Sequence, residues 1–529
     1  MAKVYATPGV YIEEKSAFPN SAVTVATAVP AFIGFTEKAE RNNKPLKGIP
    51  TRISSFGEYL NFFGSGFTTQ YTFTPPADGA PFSLAPAGKH FLLYNAMRSF
   101  FANGGSDCYI ISVGSYADAV TPAALVGGIE PLLKEPEPTM LVVPDAVMIP
   151  SGDDGNEADY NSVMTAMLSH CAKEQKRICI LDVKKGMLKR TRGADDVITE
   201  FREGVGVNNL QWGAAYYPWV QSSIVPANEI NYTNIANRDV LRTFLVDELK
   251  AAQAVIEKDE EKLKAVNDLI DGVISSGAAP ESMEPENKRV VETALELAKL
   301  APPAEGAEDK VNDNLNNTLL AISPAFKAVM GEVRNQLNLM PPSAMMAGVY
   351  SMVDNQVGVF QSPANVSLGS VVRPSVDLTS EEQEDLNLPL NGKAVNAIRT
   401  FPGKGVLVWG ARTLDGNSQD WRYISVRRTM IMIEQSIKNA AEAYVFEPNT
   451  ASTWTNMKAL ITNFLTNVWQ QGGLAGATAE DAFSVDVGLG TTMTPNDILD
   501  GLMKITVKVA ITRPAEFIVI TFQQQMQQS

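Results

Sequence analysis

Catalysis needs titratable or nucleophilic side chains, and this 529-residue sequence is short of the most versatile ones. It holds two histidines, His90 and His170, and three cysteines, Cys108, Cys171 and Cys179. A Ser-His-Asp arrangement would need one of those histidines as its base. Neither lies in a local signature, and the G-x-S-x-G elbow is absent. Ser169-His170-Cys171 sits on a helical stretch, where a helix-end or surface histidine is the plainer reading. The cysteines form no C-x-x-C pair, and a zinc site would need all three to converge with a histidine.

Other clusters are equally plain. Asp153, Asp154, Glu157 and Asp159 surround Gly152 and Gly155, but their spacing does not fit a calcium loop. A solvated loop with an acidic helix start explains them. Gly204-Val205-Gly206 has two of the three glycines of a dinucleotide loop and no strand before it. Phe401-Pro402-Gly403-Lys404-Gly405 lacks phosphate-loop spacing and reads as a tight turn before Val406-Leu407-Val408-Trp409. The basic run Lys184 to Arg192 fits either an acidic neighbour or a loop. Arg422, Arg427 and Arg428 stand at or near the start of a helix, against its dipole. That position calls for carboxylate partners, within the chain or across a subunit boundary.

The elements behind these residues are mixed α and β. Residues 22–35 read as a buried strand, 64–88 as a loop, 91–101 as a helix and 108–113 as a strand. Residues 139–185 form a β-α-β unit, because Met140–Val143 and Arg177–Asp182 are continuous apolar runs of the kind buried on both faces of a parallel sheet. Ala214–Val220 is a third strand. Residues 228–340 carry 20 acidic and 12 basic side chains, net −8. Leu245, Leu249, Ala252, Ile256, Leu263, Val266, Ile270 and Val273 repeat there at helical spacing, so this segment reads as an acidic, largely helical insertion. Helices follow at 425–443 and 452–471. Strands follow at 505–511 and, beyond Arg513-Pro514, at Phe517 to Phe522.

Charge narrows the function further. The chain has 44 basic and 59 acidic side chains, net −15, which argues against a nucleic-acid binder. No run of about 18 apolar residues is present. The N-terminus lacks an apolar core of roughly 7–15 residues. The chain is therefore expected to be made in a cytoplasm without a signal peptide and not to insert in a membrane. Both ends carry short strands, Val4-Tyr5 with Val10-Tyr11-Ile12 and Phe517-Ile518-Val519-Ile520 with Phe522. Strands without a hairpin partner are hazards in a monomer and connectors in an assembly.

The chain also resembles a known family. Thr7-Pro8-Gly9-Val10-Tyr11-Ile12-Glu13-Glu14 is similar to the opening of contractile tail sheath proteins. Further matches follow in family order. They include Phe100-Phe101-Ala102-Asn103-Gly104-Gly105, Ala215-Tyr216-Tyr217-Pro218-Trp219, Ser362-Pro363-Ala364-Asn365, Val408-Trp409-Gly410-Ala411-Arg412-Thr413, Phe446-Glu447-Pro448-Asn449 and Arg513-Pro514-Ala515-Glu516-Phe517. The matches are strong at both ends, weaker between, and nearly absent over 228–340. Val29-Pro30-Ala31-Phe32-Ile33-Gly34-Phe35-Thr36 looks most like sheaths of extracellular contractile injection systems. Phage tails and R-type pyocins are alternatives.

That resemblance implies a metastable structural subunit with no catalytic residues, cofactor or metal. Its implied partners are itself, in six-fold rings stacked helically, an inner tube protein, baseplate and terminal cap proteins, and sibling sheath proteins. It implies function in a released extracellular particle or virion tail. It also implies a multidomain α/β subunit. Residues 1–20 would be a linker strand. Residues 21–105 and 345–529 would form the inner core, with a C-terminal linker strand at about 513–523. Residues 106–227 would be an inserted outer α/β domain, and 228–344 an acidic outer helical insertion. Glu480, Asp481 and Lys458 are placed facing the tube. A reading of another class rests on the β-α-β unit: an α/β enzyme or ligand-binding protein, which would need a pocket of convergent titratable groups.

Overall fold

A computed structural model describes residues 22–302 and 311–520, apart from Asp78, Asp154, Arg192 and Ala194. The chain divides into two compact units. The larger comprises Ala28–Asn355 and Pro363–Ile424; the smaller comprises Met1–Thr27, Gln356–Ser362 and Ser425–Ser529.

The larger unit is organised by a nine-stranded sheet. Its strands are β1 (Pro30–Thr36), β2 (Thr51–Ile53), β3 (Cys108–Ser115), β4 (Met140–Val142), β5 (Ile178–Asp182), β6 (Gly213–Tyr217), β7 (Val366–Ser367), β8 (Asn396–Phe401) and β9 (Gly405–Trp409). Their spatial order is β7-β9-β8-β6-β5-β4-β1-β3-β2. The neighbours from β8 through β3 pair in parallel, while β2, β9 and β7 add antiparallel edges. Every residue of β1, β4, β5 and β6 is buried, as continuous apolar runs require. Helices α1 (Leu93–Ala102) and α2 (Ala158–Glu174) belong to this layer, and α2 links β4 to β5 as the β-α-β reading expects.

The sheet draws strands from 30–53, from 108–217 and from 366–409, because β1 inserts between β3 and β4. Strand order is a long-range property, and the apolar run of β1 carries no mark of its neighbours. Residues 64–88, read as a loop, contain the antiparallel pair Tyr71–Thr74 and Ser83–Pro86. The Tyr71-Thr72-Phe73-Thr74 alternation lay hidden among prolines and glycines.

The acidic insertion is helical. Helices α3 (Arg238–Ile256), α4 (Glu260–Ser276), α5 (Lys288–Ala298), α6 (Asp313–Ile322) and α7 (Pro324–Leu337) enclose a core that includes Leu245, Ile270, Val291, Leu319, Phe326 and Val333. Tyr71 and Phe73 of the hairpin join that core. Helix α8 (Ser343–Gln356) then returns towards the sheet.

In the smaller unit, α9 (Ile424–Glu442) and α10 (Ala451–Gln470) supply most of the core. Met432, Ile433, Met457, Leu460, Ile461, Phe464, Leu465 and Val468 pack with Leu474, Ala482 and Val485. The spacing of the α10 residues is the apolar stripe expected of a core-facing helix. Gly472, at φ +87°, ends α10 in a conformation that a side chain would oppose.

Candidate assembly interface

The smaller unit holds an incomplete sheet. Strands β10 (Phe483–Val487) and β11 (Ile505–Val509) pair antiparallel, with Phe483 opposite Val509 and Val487 opposite Ile505. Val507 and Val509 pack towards the core, while Thr506 and Lys508 face solvent. Among the described residues no third strand joins this pair. Each strand therefore offers an edge of backbone N–H and C=O groups, and a two-stranded sheet is marginal by itself. The loop between the strands is braced. Asp497 accepts from Lys504 Nζ at 2.6 Å and from Thr494 N at 2.8 Å. Those partners hold its carboxyl at about 2, well below the usual range.

Both chain ends issue from this unit. The strip from Ala22 to Thr27 is fixed: Ala22 is buried in the core, Val25 N donates to Ser436 Oγ at 3.1 Å, and Arg428 Nη2 donates to Thr27 O at 2.9 Å. At the other end Thr512 N donates to Gly473 O, and Thr512 Oγ1 donates to Gly472 O. Beyond it, Phe517, Ile518, Val519 and Ile520 are 66, 77, 88 and 69% exposed. Among the described residues no strand pairs with Phe517 to Ile520. Val4, Tyr5, Val10, Tyr11, Ile12 and Phe522 lie outside the described residues.

The remaining predicted positions fall as follows. Arg427 meets Glu434 at 3.4 Å, Arg428 meets the Thr27 carbonyl, and Arg422 Nε donates to Ser418 O at 2.8 Å. Lys458 is exposed on α10 and is that helix's only charged residue. Glu480 and Asp481 are exposed on α11 (Ala479–Ala482), where Asp481 accepts from Thr478 N and Oγ1 to cap the helix. The outward face of α10 carries Ser452, Thr455, Asn456, Asn463, Asn467 and Gln470, all exposed and uncharged. Charge depletion of this kind marks the central part of protein interfaces.

The chemically suggestive residues of the larger unit have structural work. His170 is buried, not at the surface, with Nε2 2.9 Å from Arg177 Nη1. Burial first, and Arg177 second, lower its pKa to about 4. Arg177 also donates to Leu132 O and Glu135 O. Lys184 and Lys185 both meet Glu157, while Arg190 and Arg202 share Asp385 at 2.6 and 3.0 Å. The acidic loop and the basic run thus answer one another within the chain. Gly403 and Gly405 form the β8–β9 turn. No group of three His, Cys, Asp or Glu side chains gathers as a metal site among the described residues, and no helix there is long and apolar enough to cross a membrane.

Two buried carboxylates escaped the sequence reading. Asp145 accepts from Phe35 N at 2.8 Å, Leu92 N at 2.6 Å and Leu93 N at 3.1 Å. Gly34 permits this approach, since a Cβ there would stand 2.5 Å from Asp145 Oδ2. Asp182 accepts from Ser343 N at 2.8 Å and from Ser343 Oγ at 2.5 Å. Burial pushes them up to about 6 and about 7, against those donors. Each anchors the first turn of a helix, α1 or α8, and is sealed from solvent. The signal available was an Asp at the end of an apolar strand, which is common to many α/β folds.

Known proteins resemble this chain in sequence and in structure. Residues 417–525 match the family described as the phage tail sheath C-terminal domain. The tail sheath protein of Vibrio phage KVP40 is 25% identical over 175 residues, 32% of this chain and 26% of that protein. The alignment therefore spans about a quarter of that relative. In structure the likeness runs from end to end. The contracted helical sheath of the anti-feeding prophage (AFP) matches with a TM-score of 0.58 and 27% identity, covering 99% of this chain and 100% of that one. The contracted sheath of an extracellular contractile injection system, PVC, matches at 0.56 and 26%, covering 99% of both. The fold is that of contractile sheaths along the whole chain.

Proposed function

We propose that this chain is the repeating subunit of a contractile sheath, which polymerises around an inner tube and shortens to drive it through a target envelope. The carrying observation is the open β10–β11 sheet in the unit from which both chain ends emerge, within a fold shared end to end with two injection-system sheaths. An N-terminal strand (Val4, Tyr5, Val10, Tyr11, Ile12) and a C-terminal strand (Phe517 to Phe522) from neighbouring copies complete that sheet by backbone pairing. Such pairing resists separation along many hydrogen bonds, while the arms outside it stay free to swing. Copies can then rotate without parting.

On this reading the smaller unit lies against the tube. Its uncharged α10 face, Lys458, Glu480 and Asp481 are the contact candidates. The acidic helical module lies outermost, where net charge keeps long particles apart. The partners are further copies in six-fold rings, an inner tube protein, baseplate and cap proteins, and sibling sheath proteins. The subunit acts without catalysis, cofactor or metal, in a released extracellular particle. The injection-system subtype is favoured over a phage tail or pyocin because 26–27% identity extends across 99% of the chain. The enzyme reading rests on the β-α-β unit alone, where His170, Lys184 and Lys185 are engaged with Arg177 and Glu157.

Negative-stain electron microscopy of the chain co-expressed with its tube protein tests this. Striated tubes or stacked rings are expected. Removing Met1 to Ser16 should leave a folded subunit that no longer polymerises. Normal long tubes from that truncated chain would overturn the strand linkage, and absence of any assembly from the full chain would overturn the sheath reading.

A further inference from the structure

A cavity of about 260 Å³ lies in the larger unit, away from the smaller unit and both chain ends. Helix α1 gives one wall, residues 66–69 a second, and the entry to the acidic module, residues 225–234, a third. The walls are tied together. Asn234 Nδ2 donates to Thr69 O at 2.9 Å, which joins the module entry to residues 66–69. Arg98 joins it to α1, donating to both carboxylate oxygens of Glu229 at 2.8 and 3.1 Å. Asn231 Oδ1 accepts from Thr233 N at 2.9 Å and from Thr233 Oγ1 at 2.6 Å, while Asn234 Oδ1 accepts from Asn231 N at 3.0 Å. Residue 66 must be small, since a Cβ on Gly66 would stand 2.7 Å from the Tyr94 ring.

One group in these walls is left over. Asn95 lines the cavity, and its Oδ1 is buried with no hydrogen-bond partner among the described residues. A buried acceptor in that state calls for an explanation. The rings of Phe67, Phe91 and Tyr94 line the same space. We propose that the cavity binds one neutral pyranose sugar, either free or as the terminal residue of a glycan. Charge, size and wall chemistry choose that class. Glu229 is the only charged residue in the lining and is already paired with Arg98, so the cavity offers nothing to an ion. Its volume falls below the ~300–1,000 Å³ of drug-sized sites, which suits a single ring. Sugar hydroxyls both donate and accept, so they can serve Asn95 Oδ1 and the Asn231 amide group alike. Sugar C–H groups can lie against the aromatic rings and Leu337. Water alone would satisfy Asn95 but leave those rings wet. The proposal does not rest on the sheath reading.

Saturation-transfer difference NMR on the full chain tests it. The probes are glucose, mannose, galactose and N-acetylglucosamine, each as the reducing sugar and as its methyl glycoside. Ring protons of at least one probe should be saturated, and that probe should raise the thermal midpoint of the chain. Asn95→Leu keeps the volume and removes the unpartnered acceptor, so it breaks no bond within the protein at that atom. It should weaken binding on the order of tenfold or more. Thr68→Arg, at an exposed position on the rim, should block the mouth and do the same without touching the core. Equal binding of the methyl glycoside assigns the site to a glycan end, and binding of the reducing sugar alone assigns it to a free sugar. No saturation of any probe by the unmodified chain leaves the cavity to water and overturns the proposal. Undiminished binding by either variant, once shown folded by circular dichroism, overturns it too.

Discussion

Asn338 and Val225 hold each other as paired strand residues would, but through one side chain. Asn338 Oδ1 accepts from Val225 N at 2.8 Å, and Asn338 Nδ2 donates to Val225 O at 2.9 Å. Asn338 Oδ1 also accepts from Ser222 Oγ at 3.0 Å, and Nδ2 donates to Arg334 O at 3.1 Å. The two residues are where the chain enters and leaves the acidic helical module. Asn237 grips Phe73 in the same two-way fashion, at 2.8 and 2.7 Å, and Asn103 grips Gly369 at 2.7 and 3.2 Å. Buried backbone outside a ladder must find partners, and an amide side chain supplies both a donor and an acceptor.

Replacing Asn338 should be costly. Asn338→Leu fits the volume but leaves Val225 N unpaired in a buried site and Val225 O with only the 3.4 Å bond from Arg334 Nε, at about 1–3 kcal/mol for each bond lost. Asn338→Asp keeps the acceptor but turns a carboxylate oxygen towards the carbonyls of Val225 and Arg334. Both variants should unfold at clearly lower urea concentration, by about 2–4 kcal/mol, with the larger loss for Asp at neutral pH. Unchanged midpoints would mean that the neck is held by packing alone.

Asp182 and Asp145 should respond alike to pH and in opposite ways to amidation. Their folded values, about 7 and about 6, lie above the ~3.9 of an unfolded Asp. Between those limits the folded chain binds more protons than the unfolded one, so stability rises as pH falls from about 7 towards 4. Asp182→Asn can accept from Ser343 N while donating to Ser343 Oγ, and it carries no buried charge. It should match the parent near pH 5 and exceed it near pH 8, by on the order of 2 kcal/mol. Asp145 has only N–H groups before both oxygens, so Asp145→Asn points an NH2 at a donor. It should lose about 2–4 kcal/mol at every pH. Urea midpoints from pH 4.5 to 8 measure both effects, and a parent curve flat across that range would contradict the assignment.

Much of this architecture was legible locally. The runs at Met140–Val142 and Ile178–Asp182 announced parallel strands, and the Trp454 to Val468 spacing announced α10. Order in the sheet was not legible, because β1 makes its contacts with strands about 75 and 110 residues away. Nor were the asparagine clamps, since Asn338 and Asn103 look like ordinary helix-end residues until the distant backbone they hold is known. The candidate interface was half visible: the apolar content of Phe517–Ile520 could be read, while the open edges of the β10–β11 pair depend on strand partners that local sequence does not name. His170 was misplaced because nothing near it in sequence reveals that Arg177 folds back onto its ring.

The acidic module should be removable at the Val225–Asn338 neck, because the hydrogen bonds between these residues place its two chain crossings side by side. A cut inside the module would be different. Removing only 245–300 would take away Leu245, Ile270, Val273, Val291 and Leu297 while stranding Leu319, Phe326, Val329 and Val333, which share one core with them. Replacing residues 227–336 with a short Gly-Ser link removes the helices together. The hairpin side chains Tyr71 and Phe73 would then be uncovered, since they pack into that same core. Each would expose ~150 Å² or more of apolar surface, so Tyr71→Thr and Phe73→Ser should accompany the excision. The resulting chain should stay soluble and form tubes as long as the parent's, with a narrower outline in negative stain. Rings that fail to form, from a chain still folded by circular dichroism, would show that the module contributes contacts between copies rather than lying outside them.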